Sequence, residues 1–147
     1  CRDQSNSLCV PLHSGARCNV DIDKELKTLS NQFKEVNAVA LATTEQRRTL
    51  THHFINNISK VNIKFWKEAL LAVNIPKKLQ DYAADRTGDG ILKVLEGAPK
   101  LEDDEILRLQ SETLKLLDAR MRYYEKMRNQ ILSQTKLLKA QRDQALQ

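Results

Sequence analysis

The chain has 147 residues and a mass of 16.9 kDa, room for one domain of ordinary size. Apolar residues make up 41% and charged residues 29%, and with only 4 Gly and 3 Pro the chain lacks the closely spaced turns of a β-sandwich or barrel. The formal net charge of +5 divides as +1 over 1–20, +2 over 21–75, +1 over 76–100 and +1 over 101–147, so no basic tail or stripe singles out a nucleic acid as partner.

All 3 cysteines, Cys1, Cys9 and Cys18, fall within segment 1–20, which reads as an irregular stretch ahead of the helical sequence. Such clustering points to an oxidising compartment, where a disulfide ties a short segment. Cys9 and Cys18 flank Pro11 and Gly15, where the chain turns back, and they are the expected pair. Closing so short a loop contributes about 2–3 kcal/mol of local order. Cys1 then has two roles open to it. Followed by the polar run Gln4–Ser7, it matches the lipidated cysteine and tether of a bacterial lipoprotein; otherwise it pairs between chains or with Cys9 or Cys18. Three free thiols in a cytosolic chain are the bland alternative. His13 adds no zinc-ligand spacing to the group.

From Asp21 to Val73 there is no Gly or Pro. Ile22, Leu26, Leu29, Phe33, Val36, Ala40 and Thr43 recur at steps of four and three, and Leu50, Phe54, Val61 and Phe65 carry the stripe on. This spacing predicts one long helix over 21–73 with a narrow apolar seam, interrupted at Arg47 and shifted near Asn57. Asp21 and Asp23 suit its start and Pro76 its end. The stretch 74–101 reads as a compact helical cap, with short helices at Lys77–Asp85 and Ile91–Glu96 around a Thr87-Gly88-Asp89-Gly90 turn. A second long helix is expected over 102–146, its stripe running through Ile106, Leu109, Leu114, Leu117, Met121, Tyr124, Ile131 and Leu138. The acidic run Glu102–Glu105 then lies in a first turn, where the helix dipole favours it. The expected fold is all-α: an elongated antiparallel helical hairpin or three-helix bundle, with a small helical cap and a disulfide-tied amino-terminal segment.

Few strings carry chemistry. Asp85, Thr87, Asp89 and Glu96 fit positions 1, 3, 5 and 12 of a calcium loop with Gly90 at 6. Lys93 at the ninth position, Gly97 and Pro99 after it, and the lack of a partner loop favour a plain turn, and no metal is expected. His52 and His53 have no Cys, Asp or Glu at i+4 and read as structural. Asn57-Ile58-Ser59 is a glycosylation sequon, of weight only in a secretory pathway. Lys60, Lys64, Lys67, Lys77 and Lys78, with Arg120, Arg122, Lys126 and Arg128, form either a solvated face or a basic surface for an anionic partner. Leu107, Leu116, Met127, Leu132 and Leu137 fall off the main stripe and offer a second seam for self-association.

No motif resembles a known family closely enough to name one. No nucleophile, base and orienting group converge, so the chain reads as a non-enzyme without cofactors. The expected function is that of an extracytoplasmic protein-binding or scaffold protein, secreted or envelope-anchored, acting through long helical surfaces in a cell-envelope or secretion assembly. The alternative is a soluble secreted effector that binds and inhibits a host protein.

Overall fold

In a computed structural model of the chain, residues 9–12, 15–57, 61–97 and 101–146 are described, with side chains for 21–57, 61–97 and 101–144. Their order is β1 (Cys9–Leu12), β2 (Gly15–Cys18), α1 (Asn19–Asn56), α2 (Ile63–Leu71), a 3-10 turn at Lys77–Leu79, α3 (Tyr82–Gly97) and α4 (Asp103–Leu146). The body is all-α, with four helices that pack mainly through α1 and α4. The stretch expected to be irregular instead holds an antiparallel two-stranded hairpin, in register Cys9–Cys18, Val10–Arg17, Pro11–Ala16 and Leu12–Gly15. Cys1 and the side chains of Cys9 and Cys18 lie outside the described residues.

The chain divides into two compact units, residues 1–36 with 126–147, and residues 37–125. In the first, α1 buries Ile22, Leu29 and Val36, and α4 buries Ile131 and Leu138. Both sets repeat every seven residues, the interval that keeps one row of side chains along one face of a helix. Arg142 Nη1 donates to Asp23 Oδ1 at 3.2 Å, linking α4 to α1 at the solvent edge of that seam.

The second unit holds a broader core of Leu50, Phe54, Trp66, Leu70, Ala84, Ile91, Leu95, Leu109, Leu116 and Leu117. Here the expected helix over 21–73 is broken. Asn57 ends α1, its backbone N–H and side-chain Nδ2 both donating to His53 O at 3.0 and 2.9 Å. Asn62 starts α2, its Oδ1 accepting from Phe65 N at 3.1 Å. Side-chain amides at both ends satisfy backbone groups that a continuous helix would pair internally, which is why two asparagines permit the break. The break lets α2 return onto α1. Trp66 is fully buried edge-on to Phe54, ring centroids 4.8 Å apart, and its Nε1–H donates to Thr113 Oγ1 on α4 at 3.3 Å.

The cap differs as well. In place of two short helices about a glycine turn, α3 runs unbroken through Gly88 and Gly90. Its buried positions Ala84, Gly88, Ile91 and Leu95 are spaced four, three and four apart, one helical face. Two interior glycines cost about 1 kcal/mol each in helix propensity, less than the burial of Ile91 and Leu95 returns. Asp81 opens the helix, with its Oδ1 accepting from Ala83 N at 3.2 Å. Among the described residues no helix is long and apolar enough to cross a membrane.

Candidate functional site

The second unit carries a cleft of about 370 Å³ lined by residues of α2, the segment after it, α3 and α4. Its apolar part comes from Leu70, Leu71, Val73, Ile75 and Leu92, and its polar part from Asn74, Gln80, Asp85, Asp89 and Arg120. The arrangement follows from the end of α2. Gln46 on α1 is buried and its Nε2 donates to Ala69 O and Leu70 O at 2.7 and 3.1 Å, adding a side-chain donor to the carbonyls of the last turn beside the 3.4 Å bond from Ala72 N to Ala69 O. With α2 stopped there, the chain from Val73 to Gln80 borders the cleft before α3 begins.

Arg120 governs the cleft's electrostatics. It is only 8% exposed, and Nη2 donates to Asp85 Oδ1 at 3.3 Å, while the buried Nε–H has no acceptor among the described residues. Asp85 keeps 28% of its side chain open to water, so the buried cost falls mainly on the guanidinium, which is met on one arm. Gly88 makes room for it: a Cβ there would stand 3.0 Å from Arg120 Nη2 and 3.5 Å from Leu116 Cδ2. Below the pair, Tyr124 is fully buried with its hydroxyl donating to Leu79 O at 3.4 Å. Burial pushes the Tyr124 phenol up to about 12, against the pull of the Arg120 charge.

A second, more open cavity of about 510 Å³ lies where α1 meets α2, lined by Arg48, Thr49, His52, His53, Asn56, Asn57 and Phe65. His53 packs on Phe65 with ring centroids 4.5 Å apart, and its Nε2 accepts from Asn62 N at 3.2 Å. His53 therefore joins the end of α1 to the start of α2. Arg48 is engaged by Glu45 on its own helix, which raises the Arg48 pKa through a hydrogen bond and charge.

The residues expected to form sites fare unevenly. Asp85, Thr87, Asp89 and Glu96 lie on a continuous helix, so they are strung along its axis and cannot wrap one ion as a calcium loop does. The turn expected there is helix instead. Arg120 leaves the expected basic surface, because it is buried against Asp85. Lys64, Lys77, Lys78, Arg122 and Lys126 are exposed, and Lys67 and Arg128 are half-buried. Lys60 lies outside the described residues. Leu116 likewise leaves the expected second seam for the core, whereas Leu107, Leu132 and Leu137 are exposed and Met127 is half-buried. Sequence reasoning missed Gln46, Asp118 and Thr113. Each is a polar residue in or beside a helix seam, and each partner is far away in the chain: Ala69 and Leu70, Arg47, and Trp66. No protein-family model matches this chain, nor does any curated protein or solved structure.

Proposed function

We propose that the protein is a non-catalytic binding or scaffold protein that meets its partner along exposed helical surface. The observation that carries this reading is on α1, where Leu41 and Ile55 are 60% and 64% exposed. They lie two heptads apart, on one side of the buried seam, with Arg48 midway between them. Large apolar side chains repeated along one face of a helix attract a partner surface more strongly than water. The test is site-specific photo-crosslinking at Ile55, with Asn31 as an exposed polar control, in cells that make the protein. A discrete adduct is expected at Ile55, lost in a Leu41→Ser variant that keeps its melting temperature. Equal labelling at both positions would overturn the reading.

An extracytoplasmic setting is the second part of the proposal, and the hairpin supports it. Pro11 has no N–H to give, which suits Pro11–Ala16 as a pair without ladder hydrogen bonds. Cys9–Cys18 shares that parity, at which facing Cα atoms stand about 4.5 Å apart, within the span of a disulfide. Intact mass of the purified chain before and after reduction decides it. A gain of two hydrogens on reduction, lost in Cys9→Ser, is expected; an unchanged mass removes the disulfide and the argument for an oxidising compartment.

A further inference from the structure

We propose that the Arg120 cleft takes one apolar side chain of an extended peptide segment of the partner, with a peptide carbonyl of that segment accepting from Arg120. This rests on the protein-binding reading and assigns it a second contact point. The cleft's size is in the range of sites that enclose a single side chain or small ligand. Leu71 stands at its edge 64% exposed, a large apolar side chain that the other described residues leave uncovered.

Charge narrows the occupant. Arg120 and Asp85 balance each other, and Asp89 adds an unbalanced carboxylate to the same lining. A carboxylate or phosphate ligand would therefore meet net negative charge, and a cation would meet the guanidinium. What the site lacks is a neutral acceptor, since the guanidinium offers more N–H groups than Asp85 takes and Nε–H has no partner among the described residues. A peptide carbonyl is such an acceptor. It reaches the guanidinium through the 10% of the side chain still exposed, at an N–H that Asp85 does not take. Asn74 and Gln80, both exposed on the rim, supply amides that match the N–H and C=O groups of the same segment.

N-acetyl-leucinamide, uncharged and carrying one apolar side chain between two amides, is the probe. Titrated into the full ¹⁵N-labelled chain, it is expected to move the amides of Leu71, Val73, Gln80 and Leu92 saturably, with a Kd in the millimolar range usual for a fragment of that size. Leu71→Ser and Gln80→Ala, both at exposed positions, should each raise that Kd at least fivefold while the rest of the spectrum stays in place. Isovalerate, which keeps the side chain but carries a carboxylate, should bind at least tenfold more weakly. Absence of saturable shifts, or isovalerate binding as well as the amide, would overturn the proposal. Crosslinking at Ile55 tells the two readings apart: if it persists while the cleft stays silent, only the cleft assignment falls.

Discussion

At the residue scale, the second unit depends on a few polar side chains whose partners are distant in the chain. Gly88 and Gly90 make a controlled pair. Space around Gly90 is open, so Gly90→Ala should stabilise the protein by about 0.5–1 kcal/mol through helix propensity alone. Gly88→Ala gains the same propensity but sets a methyl 3.0 Å from Arg120 Nη2, whose guanidinium is buried and held by Asp85, and a net loss of about 1 kcal/mol is expected. Urea denaturation of both variants checks the opposite signs. Tyr124 predicts a pH effect. Its neutral phenol is the buried form, so its contribution to stability is whole below pH 10, the free phenol value, and is lost as pH rises through about 12. Difference absorbance titration of the wild type against Tyr124→Phe isolates this phenol, and a midpoint at 10 would contradict its burial.

At the element scale, α2 is the piece that turns two long helices into a folded unit. It is short, 9 residues, and a helix of that length does not stand alone in water. Among the contacts that hold it are the Asn62 cap at its start, Gln46 at its end and Trp66 in its middle. Asn62→Ala should cost about 1 kcal/mol and Gln46→Ala about 1–2 kcal/mol, the second removing a buried donor from the Ala69 and Leu70 carbonyls. Trp66 is the single tryptophan of the chain, so its fluorescence reports α2 directly. Both variants should red-shift it at lower urea than the wild type. Arg47 shows a different use of a seam position. It stays half-exposed and pairs with Asp118 on α4, so Arg47→Ala should cost only about 0.5–1 kcal/mol.

At the scale of the whole molecule, the uncovered apolar side chains ask what they meet. Leu107, Leu132 and Leu137 on α4 are each more than half exposed. If a second copy covers them, the sedimentation coefficient rises with protein concentration, and a Leu132→Ser, Leu137→Ser variant holds it constant. A wild type that sediments alike at micromolar and at high micromolar concentration leaves these side chains to another protein. Calcium gives a second whole-molecule test. Because Asp85 to Glu96 are helical, millimolar calcium should leave the melting temperature unmoved; a rise that Asp89→Asn abolishes would contradict a continuous α3.

Much of the body was legible in the sequence. The seven-residue spacing of Ile22, Leu29, Val36 and Leu50 is a local, periodic signal, and all four are buried. The same holds for Leu117, Tyr124, Ile131 and Leu138 on α4. Periodicity reports which side of a helix is apolar, because the helix geometry is common to every sequence. It does not report what lies opposite. Whether Gly88 bends a turn or clears a path for an arginine depends on α4, 32 residues further on in the chain. Whether Arg120 joins a basic surface or an interior ion pair depends on Asp85. Pairings between distant polar groups have no sequence period, since each is settled by how the helices lie against one another. The candidate cleft, whose polar side rests on the Arg120–Asp85 pairing, was therefore decided only by the tertiary structure.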